Sequence, residues 1–232
     1  MKRNTSLSIL AAVGITALLL QTAAFASVVV YDNTTTATTG PFIEATEYGF
    51  WPFSQYNAYD LVGDSVNLDP GLVERTVCRF DLMLSCFPWS QPVTLPELTV
   101  SFYDLDAPWP DTEIWSSVTL TNVVVDGLTM VTFDVSPGVT VDDSFVWTAC
   151  ADSLEAGLAT FDPPEVGSSD DYFFVRDFYD LSWCALNFDG DPVANFGARI
   201  WAVPEPASAL VMVLGGLLAC RPGRRRGRRA RP

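Results

Sequence analysis

From Val28 onward, apolar and polar residues alternate in short runs, with turn residues between the runs. A period of two puts successive side chains on opposite faces of an extended chain, so each run predicts a half-buried strand. Thr76 to Leu84 carries the pattern most clearly, with Cys78, Phe80, Leu82 and Leu84 expected on one face and Arg79 and Asp81 on the other. Further strands are predicted at Val28 to Tyr31, Asp64 to Leu68, Leu98 to Leu105, Ile114 to Leu120 and Thr129 to Val135. Others follow at Phe145 to Cys150, Gly157 to Phe161, Tyr172 to Arg176, Ser182 to Phe188 and Asn195 to Trp201. Asp69-Pro70-Gly71, Asp126-Gly127, Pro137-Gly138 and Pro163-Pro164 read as turns or strand ends, because Pro and Gly supply the dihedrals a reversal needs. About eleven short strands without an amphipathic helix predict an all-β domain, an antiparallel β-sandwich of jelly-roll-like form. Gly49 to Tyr59 departs from the alternation and is rich in aromatic residues. It is expected to be a packed loop covering a sheet edge, with a sugar-stacking platform as the other reading of its rings.

The two ends differ from this body. Lys2 and Arg3 precede an apolar stretch from Leu7 to Leu20, and Ala24-Phe25-Ala26 has the small residues of a signal-peptidase site. Residues 1–26 are therefore expected to be a signal peptide, cut between Ala26 and Ser27, and the remaining chain an exported one. At the other end, Pro204-Glu205-Pro206 cannot continue a helix or a sheet ladder. The charge-free run from Ala207 to Cys220 follows, and then a tail with Arg221, Arg224, Arg225, Arg226, Arg228, Arg229 and Arg231. An arginine cluster after an apolar run halts translocation and stays on the cytoplasmic side. Fourteen helical residues span about 21 Å, short of the ~30 Å hydrocarbon core, so the run predicts a short and weak transmembrane helix.

This succession of joint, apolar helix and arginine tail in residues 203–232 resembles the PEP-CTERM sorting signal of bacterial exported proteins. The resemblance implies processing by an exosortase near Pro204-Glu205-Pro206, an inner-membrane intermediate, and delivery to the cell surface or extracellular matrix in association with exopolysaccharide. The body, residues 27–202, resembles a recurrent domain of PEP-CTERM cargo proteins. The resembling stretches are Val30-Tyr31-Asp32-Asn33, Phe102-Tyr103-Asp104, Phe145-Val146-Trp147-Thr148, Asp162 to Ser169 and Val193 to Arg199. That resemblance brings no catalytic residue with it. Signal peptidase and exosortase are the implied processing partners.

Charge sharpens this picture. The chain carries a formal −15, but the body holds only Arg75, Arg79, Arg176 and Arg199 against twenty-seven of the twenty-eight acidic residues, a formal −23. Such a surface opposes nucleic acid and anionic membrane faces. There is no histidine, and Lys2 is the sole lysine, which removes Ser-His-Asp and Cys-His nucleophile systems, histidine metal sites and Schiff-base chemistry. No cofactor and no catalytic residue are expected, and the function expected is that of a non-enzymatic surface or matrix protein. A carbohydrate-binding module and a carboxylate glycoside hydrolase are the alternatives.

Acidic pairs occur at Asp104/Asp106, Asp142-Asp143, Asp170-Asp171 and Asp189/Asp191. Asn187, Asp189 and Asp191 around Gly190 resemble half of a calcium loop without its closing glutamate, so a plain turn is expected there and no metal. In an oxidising exported setting Cys78, Cys86, Cys150 and Cys184 are expected to form two disulfides. Cys78 and Cys86 on one strand would stand about 26 Å apart, so each is expected to pair with Cys150 or Cys184.

Overall fold

The computed structural model describes residues 27–35, 50–53, 59–86, 92–106, 108–177, 179–187 and 195–203. Among them the chain forms thirteen strands and no helix. These are β1 (Val28–Asp32), β2 (Phe50–Pro52), β3 (Tyr59–Asn67), β4 (Thr76–Cys86), β5 (Val93–Asp106), β6 (Trp109–Ser116), β7 (Leu120–Val125), β8 (Leu128–Thr140), β9 (Ser144–Ala151), β10 (Ala156–Ala159), β11 (Phe173–Asp177), β12 (Trp183–Leu186) and β13 (Ala198–Val203).

They assemble into two sheets, and every pairing is antiparallel. The first sheet runs β1-β13-β4-β10-β2. Arg79 pairs with Trp201 of β13 and with Asp134 of β8, so β8 lies on the opposite edge of β4 from β13. The second sheet runs β12-β11-β3-β9-β5-β6, with β7 along the same edge of β5 as β6. The all-β, sandwich-like expectation from the alternating pattern is met.

One core lies between the sheets. Val77, Phe80, Leu82 and Leu84 of β4 face Phe145, Trp147 and Ala149 of β9 within a single buried cluster. Phe80 sits at its middle, its ring 5.5 Å from Phe102, 5.3 Å from Trp147 and 6.4 Å from Phe133. Fully burying a side chain of this size is worth roughly 1.5–3 kcal/mol relative to leaving it exposed, so this layer holds the two sheets together.

Three expectations are corrected. Cys78 does not share the face of Phe80. It is an extra residue in β4 opposite β13, where the register slips between Trp201 and Ala202, and the slip turns Val77 inward instead. Such a bulge shifts the alternation by one residue. Pro137-Gly138 is not a turn between strands but part of β8, in the stretch Val135 to Gly138 that bulges opposite Cys78. Gly138 adopts φ +100°, a conformation that residues with a Cβ rarely take. The aromatic stretch Gly49 to Tyr59 is not a loop throughout. Phe50–Pro52 forms β2 on β10, and Tyr59 begins β3.

Candidate functional site

The outer face of the second sheet, which in a soluble sandwich should be polar, is aromatic instead. Phe174 and Arg176 project from β11, Trp183 from β12, Tyr103 from β5 and Val146 from β9, with Leu61, Leu105 and Tyr172 packed around them. Tyr103 and Trp183 stand on strands separated by three others, which in a flat sheet places them roughly 19 Å apart. Their ring centroids are 5.3 Å apart, and Trp109 of β6 lies 6.3 Å from Phe174 of β11. The sheet therefore curls towards this side into a half-barrel whose hollow is filled by its own rings.

Filling leaves a rim. Trp109 is 43 % exposed, while Trp183 and Tyr172 are half-buried, the latter edge-on to Phe174 at 5.4 Å. Arg176 lies over the Trp183 ring at 5.8 Å, directly across the β11–β12 ladder. The Tyr103 hydroxyl donates to Glu113 Oε2 at 3.0 Å. Ring faces beside a guanidinium and a carboxylate can stack on sugar C–H faces and hydrogen-bond sugar hydroxyls. Burial, with the Asp170 charge nearby, raises the Tyr172 phenol above its ordinary value, so it stays a neutral hydrogen-bonding group.

A second polar feature lies inside the sandwich. Asp64 of β3 is fully enclosed; its Oδ2 accepts the Phe196 N–H at 3.0 Å and its Oδ1 the Ser169 hydroxyl at 3.1 Å. Burial holds its carboxyl well above the usual carboxylate range, against the lowering effect of those two donors. Asn33 donates from Nδ2 to the carbonyls of Phe161 and Phe196. Among the described residues the Asn33 Oδ1 and the Trp147 Nε1 have no hydrogen-bond partner. Burial, then the nearby Asp64, raises the Tyr31 phenol too. This network fastens β3 to the start of β13, with Asp64 and Asn33 wholly buried and Ser169 half-buried at its edge. Sequence reasoning passed over it, although Asp64 stands between Val62 and Val66 at a buried-phase position, which was the available signal.

A third feature is an enclosed carboxylate on the outer face of the first sheet. Asp81 accepts from Arg79 Nε at 2.7 Å, Thr132 Oγ1 at 2.8 Å and Trp201 Nε1 at 3.1 Å, and Arg79 lies over the Trp201 ring. On β1, Asp32 holds Arg199 at 2.8 Å and caps the Thr34 N–H and hydroxyl. Both act as structural clamps: Thr132 of β8 and Trp201 of β13 tie Asp81 to the strands on either side of it, Arg79 adds a bond within β4, and Arg199 ties Asp32 to β13.

The expected disulfides are not found. No disulfide joins Cys78, Cys86, Cys150 or Cys184. Cys86 and Cys184 point towards the core, whereas Cys150 belongs to the outer face of β9, away from the first sheet, because Ala149 and Ala151 flank it inward. Cys78 sits in the bulge with its thiol on the Trp201 carbonyl at 3.5 Å, and burial raises its pKa. Among the described residues no group of three or more Cys, Asp or Glu side chains is placed to hold a metal. Asp142 and Asp143 are exposed, and Asp143 pairs with Arg75 at 2.7 Å. Asp170 accepts from Ser65. Asp189 and Asp191, the cleavage residues Ala24 and Ala26, the Pro204-Glu205-Pro206 joint and the arginine tail all lie outside the described residues, while Ser27 is exposed beside β1.

No protein-family model matches the chain, and neither a curated protein nor a solved structure is detectably similar to it.

Proposed function

We propose that this protein is an exported, non-enzymatic component of the cell surface or extracellular matrix, delivered by exosortase processing of its C-terminal signal and associated there with exopolysaccharide. The observation that carries the reading is the order Pro204-Glu205-Pro206, apolar Ala207 to Cys220, then seven arginines, in a chain that opens with a signal-peptide pattern. The export route supplies signal peptidase first and the exosortase second, with an inner-membrane intermediate anchored by the apolar run. The body is a jelly roll. In support, β1-β13-β4-β8 in one sheet and β3-β9-β5-β7 in the other is the order that eight strands take when wound as two Greek keys. Reading the mature C-terminus by mass spectrometry in the producing cells tests the assignment. The wild-type chain is expected to lose its arginine tail, and a Pro204→Ala, Pro206→Ala variant to be exported with the tail retained. Tail loss at the wild-type rate in that variant refutes the sorting role.

A second reading, a carbohydrate-binding module, is favoured by the ring-lined rim of the half-barrel. Trp109→Ala is expected to abolish retention on the neutral polysaccharide of the producing strain while leaving the fold intact, and unchanged retention removes this reading. A carboxylate hydrolase has the least support. Asp64, whose carboxyl burial holds well above the usual range, is enclosed by Tyr31, Ser169 and Phe196 where no glycosidic bond can reach it.

A further inference from the structure

β1 and β13 are adjacent antiparallel strands, with Val28 opposite Ala202. Cα atoms paired in this way lie about 4.5–5.5 Å apart. The chain therefore enters the sandwich after Ser27 and leaves it after Val203 at one end and side by side. Val203 in turn pairs with Thr76, and Thr76 with Thr140, so the same end carries the β3–β4 and β8–β9 connections. The opposite end carries the Asp126-Gly127 turn and Cys86, ten residues along β4 from Thr76, which at ~3.3 Å each is about 33 Å away.

We propose that this end, built from Ser27, Val203, Thr76, Thr140 and the loops around Arg75 and Asp142, is the surface that the folded body turns to the lipid bilayer before processing. The inference rests on the anchoring role given to Ala207 to Cys220 and adds the orientation. Four residue steps separate Val203 from Ala207, no more than about 14 Å when fully extended, so this end cannot leave the vicinity of the membrane. While the signal peptide is still attached, Leu20 is seven steps from Ser27, at most about 25 Å, and pulls on the same end. Both tethers act within one strand spacing, so neither opposes the other and the sandwich stands away from the bilayer.

The chemistry of the end fits a passing contact rather than a lasting one. Val73, 79 % exposed, offers one apolar contact. Among the described residues, Asp142 and Asp143 are exposed at the same end as Asp69 and Glu74, with Arg75 as the cation beside them, and a shallow cleft of about 510 Å³ opens between Arg75, Leu105, Thr140 and Asp143. Anionic headgroups repel this charge, so the covalent tether is what keeps the body there, and its removal releases the body.

The test reconstitutes the chain from Ser27 to Pro232 in neutral phosphatidylcholine vesicles carrying a rhodamine-labelled headgroup lipid. A fluorescent amino acid replaces Asp142 at the near end or Asp126 at the far end, both exposed. Energy transfer to the headgroups is expected to be at least twofold greater from position 142, and a ten-residue Gly/Ser insertion between Val203 and Pro204 is expected to erase the difference. Equal transfer from both positions of the uninterrupted chain, or greater transfer from position 126, overturns the orientation while leaving the anchor standing. A chain that does not float with the vesicles overturns the anchoring role, and the orientation falls with it.

Discussion

Replacing Phe80 by alanine tests whether the two sheets share one core. Phe80 has no solvent exposure, and its ring touches Phe133 of its own sheet and Phe102 and Trp147 of the other. Truncation removes the ring's transfer free energy and leaves a cavity that two twisted sheets cannot close together, a cost of about 3–5 kcal/mol for buried phenylalanine. At roughly 2–4 °C per kcal/mol for a domain of this size, the melting temperature is expected to fall by about 6–20 °C. Urea unfolding of the purified protein, followed by tryptophan fluorescence with Trp147 as a core reporter, gives the free energy directly. Phe80→Leu, which keeps most of the volume, is expected to lose less than half as much. Val118→Ala, at a position 82 % exposed, serves as a control expected within about 0.5 kcal/mol of wild type. A Phe80→Ala loss below about 1 kcal/mol would mean that the sheets are held by something other than this aromatic layer.

Asp64 predicts a pH dependence. Its folded pKa is raised above the ordinary 3.8, so the unfolded chain releases this proton first, and the contribution is lost as pH climbs from 3.8 towards the folded value. Asp64→Asn keeps an acceptor for the Phe196 N–H and is expected to flatten that part of the stability–pH curve and to raise stability at neutral pH. A curve of unchanged slope refutes the burial argument. At Gly63 an added Cβ would lie 1.9 Å from the Trp147 carbonyl oxygen and 2.5 Å from the Thr148 Cα, both backbone atoms that cannot swing aside. Gly63→Ala is expected to cost about 1–3 kcal/mol or more by forcing β3 and β9 apart, measured by the same urea titration, and a neutral substitution contradicts the register of that pair.

Much of the body was legible along the chain. Phe145, Trp147 and Ala149 against Val146 and Thr148 announce a strand and its faces, because a pleated chain alternates whatever it packs against. The same residue types disclosed the acidic, histidine-free character that narrows the available chemistry. Where alternation broke, reading along the chain went wrong. The bulge at Cys78 is a property of the ladder with β13, and Pro137-Gly138 looks like a turn until β4 is set beside it. The disulfide expectation failed because which cysteines come together depends on how strands far apart in the chain are placed, which local alternation does not encode.

What only the tertiary structure decided is which distant residues meet. Nothing between Tyr103 and Trp183 in the chain marks them as neighbours, and they touch only because the second sheet curls. The alternation around Asp64 points it inward, but only the fold brings Phe196, more than a hundred residues later, to supply the N–H that holds it in the interior. Ser27 and Val203 lie at one end of the sandwich because β1 and β13, the first and last strands described, pair with each other, and pairing of strands so far apart in sequence is a global outcome of packing that no local pattern encodes.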